Sequence, residues 1–166
     1  MRFAHAYPGS EIFAIDAAQA MLDIATKAIS VAGLDKRIHL LKAYLPMTAR
    51  ALFDLPVCDT IISNSLLHHL RDPQTLWRSL TQMGAIGAAI FIMDLVRPPS
   101  RAAAAELVER HAASELQILK RDFFNSLLAA YRVEEIRDQL TQSGLANLQA
   151  EVVSDHHLLV DGYLIQ

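Results

Sequence analysis

A single cysteine, Cys58, leaves no partner for an intramolecular disulfide. Stability must then come from a packed core, and the residue reads as a core thiol in a reducing, cytoplasmic setting. Basic runs are also missing: 15 Lys and Arg are spread against 18 Asp and Glu, for a net charge of -3. That distribution excludes the electrostatic footprint of a nucleic-acid or anionic-lipid binder and favours a small soluble partner. The longest uncharged stretch, Ser79 to Met93, is interrupted by Ser, Thr and Gln. It falls short of the roughly 20 apolar residues a membrane helix needs. Near the N-terminus Arg2, His5, Pro8 and Gly9 leave no room for the apolar core of a signal peptide. Gly9 is the one glycine before Gly33, so no glycine cluster stands at the beginning of the chain.

What is present fits one ordered domain. The 166 residues are 52% apolar and 20% charged, with no Pro, Ser or Gly tract to mark a linker. Glu11 to Ile15 reads as a buried strand after the turn pair Pro8-Gly9. A helix over Ala17 to Ala32 follows, with Met21, Ala25, Ala28 and Ala32 at helical spacing, Leu22 and Ile29 beside them, and Gly33 as its stop. Arg37 to Leu41 is a weaker strand. Tyr44 to Asp54, with Pro46, is a loop holding one helical turn. Val57 to Ser63 suits a buried parallel strand.

Asp72-Pro73 then opens a helix with Leu76, Trp77, Leu80 and Met83 on its apolar face, ended by Gly84 and Gly87. Ala88 to Leu95 is a third β-rich run, and Pro98-Pro99 breaks the chain after it. Arg101 to Tyr131 is helical with a break near Ser114, and Val133 to Gly144 is a further helix. Leu148 to Val153 and His157 to Ile165 are separated by only Ser154, Asp155 and His156, which demands an antiparallel hairpin. Alternating strands and helices imply a parallel sheet, with an antiparallel strand added at one edge by the hairpin.

In doubly wound sheets ligands bind at the carboxyl ends of the strands. Those ends are Asp16, Lys42 to Pro46, Asn64-Ser65 and Asp94. The segments Ala14-Ile15-Asp16 through Met21-Leu22, Tyr44-Leu45-Pro46, Phe53-Asp54 to Asn64-Ser65-Leu66-Leu67-His68-His69-Leu70, and Met93-Asp94 to Arg97-Pro98 carry a resemblance. In order and spacing the chain resembles class I S-adenosylmethionine-dependent methyltransferases of the small-molecule type, over nearly its whole length. The resemblance implies a three-layer Rossmann-like α/β sheet, mostly parallel, in the strand order 3-2-1-4-5-7-6 with the last strand antiparallel. The visible strands correspond to numbers 2 to 7, and the first strand with its Gly-x-Gly-x-Gly turn is missing.

The resemblance further implies S-adenosylmethionine as cofactor and a small-molecule methyl acceptor. Asp16 would accept hydrogen bonds from both ribose hydroxyls, a role compatible with capping the following helix. Ala17 and Met21 would line the adenine, although a Met at this spacing also suits a core. Tyr44 and Leu45 would flank it. Lys42-Ala43-Tyr44 departs from the acidic residue that often reads the adenine amino group there. Asn64 and Ser65 would pass near the methionine end. His68 or His69 would act as general base, against a plain packing role. Residues 97–132 correspond to a helical lid, with Arg97, Asp122, Asn125 and Tyr131 as weaker acceptor-side candidates.

The Asn-Ser-Leu-Leu motif lacks the Asn/Asp-Pro-Pro-aromatic signature of enzymes that methylate nucleobase or glutamine amino groups. No metal site is expected, because His68-His69 and His156-His157 are adjacent pairs without i, i+4 spacing or cysteine partners. A missing first strand would leave two rows of backbone donors and acceptors open, at about 1 to 3 kcal/mol for each group buried unpaired. The expected remedies are a pairing of strand 2 with strand 4, a homodimer, or a longer natural chain. A shortened N-terminus is favoured. Two other functions stay open: a non-catalytic methyltransferase-like binding or assembly module, and a nicotinamide-dinucleotide domain, which the closing hairpin disfavours.

Overall fold

The computed structural model describes residues 1–48, 52 and 55–165. Phe53-Asp54 and most of the helical turn expected before them lie outside the described residues. The chain forms two compact units, Met1–Leu55 and Pro56–Gln166. No helix among the described residues is long and apolar enough to cross a membrane.

The first unit is a parallel strand-helix-strand step preceded by a short helix. It runs α1 (Arg2–Ala6), β1 (Ile12–Asp16), α2 (Gln19–Val31) and β2 (Ile38–Lys42). β1 and β2 pair in parallel from Ile12↔Ile38 to Asp16↔Lys42. Ala4, Ile29, Leu34 and Ile38 form the core, with Ile12, Ala14, Ala25, Ala32 and Leu40 packed against it. The buried stripe of α2 therefore follows Leu22, Ala25, Ile29 and Ala32. Met21, offered by its spacing as core, is instead 53% exposed. Gly33, at φ 66, takes the left-handed conformation that stops the helix. Arg37 ties the unit together by donating to the carbonyls of Ala4, Tyr7 and Ser10.

The second unit holds β3 (Cys58–Asn64), a 3-10 turn (Leu67–His69), α3 (Gln74–Met83) and β4 (Gly84–Leu95). It continues with α4 (Arg101–Ala112), α5 (Gln117–Ala129), α6 (Val133–Gln142), β5 (Gln149–Val152) and β6 (His157–Tyr163). Its sheet has the order β3-β4-β6-β5. β3 and β4 are parallel, whereas β6 is antiparallel to both neighbours. Trp77, Leu80, Ile92, Leu158 and Val160 are wholly shielded from solvent. Each such side chain contributes about 1.5 to 3 kcal/mol through removal from water. A second cluster joins Leu95 to Ala104, Leu107 and Val108 of α4 and Leu127 of α5.

Several expectations need correction. The single continuous sheet is two sheets, β1-β2 and β3-β4-β6-β5. Their orders match the 3-2 and 4-5-7-6 portions of the resembled arrangement, on either side of its first strand. Among the described residues β1 pairs with β2 and β3 with β4. The reversed strand, expected at an edge, is interior, and β5 takes the edge because the tight hairpin folds it back outside β6. Gly84 and Gly87 do not follow the helix as a plain stop but begin β4. Gly87, at φ 84, lies where the pairing slips between Cys58↔Gly84 and Thr60↔Ala89. Cys58 is no core thiol: it is half-buried at the start of β3, where burial and then the Asp59 charge push its thiol up.

Candidate functional site

In the first unit, Asp16 ends β1, and its register partner Lys42 ends β2. The Ala43 N–H donates to the Asp16 carbonyl at 3.2 Å, which brings the segment 42–44 to the same end of the sheet. Asp16 Oδ1 accepts the Ala18 N–H at 2.7 Å, so the carboxylate organises the first turn leading into α2. Its other oxygen has no partner among the described residues. The helix-capping reading and an open acceptor thus coexist in one side chain. Around this end Met21 is 53% and Tyr44 72% exposed, while Ala17 and Leu45 are half-buried. Exposed apolar and aromatic surface beside a free carboxylate oxygen suits an adenosine, whose base is flat and whose ribose presents two vicinal donors. By this measure the residues present fit the adenosyl part of S-adenosylmethionine.

In the second unit the carboxyl ends of β3 and β4 bring together Asn64, Ser65, His68, His69 and Asp94. The Ser65 N–H donates to the Met93 carbonyl at 2.9 Å. Ser65 takes φ 54, the left-handed conformation uncommon outside glycine, and this turns the chain sharply off the strand. That turn lays the 3-10 segment Leu67–His69 over the end of β4. Asp94 is buried there and accepts three N–H donors: Leu67 N at 2.7 Å, Leu95 N at 2.8 Å and His68 Nδ1 at 2.5 Å.

His68 Nδ1 thus meets the Asp94 carboxylate at the carboxyl end of the strand pair. The side chains of His68 and Asp94 are only 4% and 2% exposed. The ring of His69 lies 4.0 Å from that of His68, centroid to centroid, and is exposed. Burial and then the neighbouring His68 lower the proton affinity of His69, with Asp94 opposing them. A histidine so placed is neutral at neutral pH and able to take a proton.

The sequence pointed to His68 and His69 but not to the pairing of His68 with Asp94. Those residues lie 26 apart, and only the parallel β3-β4 register brings them together. Arg97 is committed to structure. Its Nε donates to the Ala130 carbonyl at 2.8 Å, and its guanidinium pairs with Glu135. Burial alone would raise the Glu135 carboxyl, but the Arg132 N–H and Arg97 outweigh it and hold it below the usual range. Asp122 and Asn125 are solvent-facing residues of α5. Tyr131 is half-buried, and burial followed by the Glu135 charge pushes its phenol up.

The parallel step with an acidic strand end, and a four-stranded sheet with its reversed strand second from the edge, define a Rossmann-like α/β fold of the methyltransferase kind. The chain belongs to the methyltransferase domain family, which matches residues 2–92. Solved structures agree on the fold. A SAM-dependent methyltransferase from Aquifex aeolicus has a TM-score of 0.64 at 17% identity, over 94% of this chain and 69% of its own. An O-methyltransferase family protein from Burkholderia thailandensis has a TM-score of 0.69 at 17% identity, over 97% of this chain but 46% of its own. The plantazolicin methyltransferase BpumL, in complex with a desmethylPZN analogue and SAH, has a TM-score of 0.70 at 12% identity, over 97% of this chain and 71% of its own. The chain thus spans about half to two thirds of the structures it resembles. A search of curated protein sequences gave no match.

Proposed function

We propose that this chain carries the core of an enzyme that transfers a methyl group from S-adenosylmethionine to a small-molecule acceptor. The observation that supports it most is Asp16: in a chain of this family, it ends a parallel strand with one carboxylate oxygen unengaged. When bound, the cofactor supplies an electrophilic methyl carbon on a sulfonium. Asp16 would accept from the ribose hydroxyls, and Ala17, Met21, Tyr44 and Leu45 would hold the adenine.

His69, neutral and exposed, takes the proton that the acceptor loses as its lone pair attacks carbon. His68, held through Nδ1 by Asp94, is a positioning residue that fixes the turn on which His69 stands. We assign residues 97–132 to covering the acceptor. Orientation and exclusion of water supply most of the rate in such a displacement.

Calorimetric titration with S-adenosylhomocysteine tests the reading. We expect saturable binding, no response to NAD, and affinity at least about tenfold weaker in Asp16→Ala, a loss of ~1.4 kcal/mol. Unchanged affinity in that variant would remove Asp16 from the site. A folded chain silent to S-adenosylhomocysteine would instead support a non-catalytic binding or assembly module.

A further inference from the structure

We propose that His111, Asp155 and His156 form a binding site for a divalent cation of the zinc class in the second unit, apart from the residues given to the cofactor and to proton transfer. His111 stands in the last turn of α4, and Asp155 and His156 in the tight turn between β5 and β6. Each offers one ligand atom, and the three atoms lie within 4.8 Å of one another. Both rings already direct a nitrogen at the same carboxylate: His111 Nε2 lies 2.9 Å from Oδ2, and His156 Nδ1 lies 2.5 Å from Oδ1. Two imidazoles and one carboxylate suit Zn²⁺, with bonds of about 2.0–2.2 Å and tetrahedral ligands about 3.4 Å apart. A cation that replaces the two bridging ring protons needs the ring nitrogens to draw back from the carboxylate by less than about 1 Å.

The surroundings hold the three groups in place before any ion arrives. The Val96 N–H donates to the His156 carbonyl at 3.0 Å, which fixes the turn to the chain after β4. The Ser154 hydroxyl accepts the N–H groups of His156 and His157 at 3.3 and 3.0 Å. The His156 ring is packed between those of His111 and His157, at 4.2 and 4.0 Å between centroids, with Phe123 edge-on at 5.9 Å. Arg110, His111 and His156 all face the Asp155 carboxylate within hydrogen-bond distance. Among the described residues Arg110 is the one competing cation, at 2.9 Å from Oδ2, and its long exposed side chain can swing away. Three protein ligands leave a fourth position to water.

The test is titration of the chelator-treated chain with zinc chloride, alongside the visible absorption of bound Co²⁺. We expect one equivalent bound, a tetrahedral-type Co²⁺ spectrum, and affinity at least tenfold weaker in His111→Ala, in His156→Ala and in Asp155→Asn. Arg110→Gln should bind as tightly or more tightly. His39→Ala removes the exposed ring paired with Glu11 in the first unit and should change nothing. Each variant's far-ultraviolet circular dichroism in the absence of metal establishes that it is folded. Binding unaltered by His111→Ala and His156→Ala, or binding abolished equally by His39→Ala, would overturn the site.

Discussion

Asp94 shows how much one residue at a strand end can hold. Its carboxylate accepts three N–H donors and joins the turn after β3 to the end of β4. Removal of the acceptor leaves buried donors unpaired, so Asp94→Ala should destabilise the second unit by about 3 kcal/mol or more. Urea denaturation followed by tryptophan fluorescence measures this directly, and a loss under 1 kcal/mol would mean that water replaces the carboxylate. The polar residues Asp16, Asn64, Ser65 and the His pair were visible in the sequence because strand ends are where such residues collect. Their partnerships were not. His111 and Asp155, 44 residues apart, meet only because α4 ends over the β5–β6 turn, which no spacing rule along the chain reveals.

At the scale of elements, the helices were the most readable parts, since apolar spacing and punctuation agree. Trp77, Leu80 and Met83 mark the buried face of α3 in the sequence as in the structure. In α2 the reading was one residue out: Met21 and Leu22 are both apolar and adjacent, and only the fold shows that Leu22 is the buried one. β4 extends four residues earlier than its apolar run suggests, because glycines in an extended chain look like helix stops. The buried link between α3 and α6 was also invisible. Trp77 Nε1–H donates to Gln139 Oε1 at 2.9 Å, and both groups are buried. Trp77→Phe keeps most of the apolar bulk but leaves that amide oxygen unpaired, so it should lower stability by about 1 to 3 kcal/mol. The double variant with Gln139→Leu should recover part of the loss, as thermal melts of the two can show.

At the scale of the whole molecule, strand order and the place of the missing first strand were legible through family resemblance, while the division into two sheets was not. A gap in pairing leaves no mark on the residues that flank it. Each unit has its own apolar cluster, and the first has only a two-stranded sheet, which is marginal on its own. The only tryptophan, Trp77, belongs to the second unit. Denaturation followed by tryptophan emission should therefore report that unit alone, and far-ultraviolet circular dichroism both. We expect the dichroism to begin changing at lower denaturant than the fluorescence. Coincident curves would show that the units unfold together.

The interior position of β6 has a consequence for how the protein is made. On the ribosome, β5 emerges before the one strand it pairs with, and β4 waits more than sixty residues for the same neighbour. A nascent chain that has reached Val152 thus carries an apolar β4 with one side unzipped, attractive to chaperones and to other nascent copies. Synthesis of a dozen further residues lets one late strand close both seams at once.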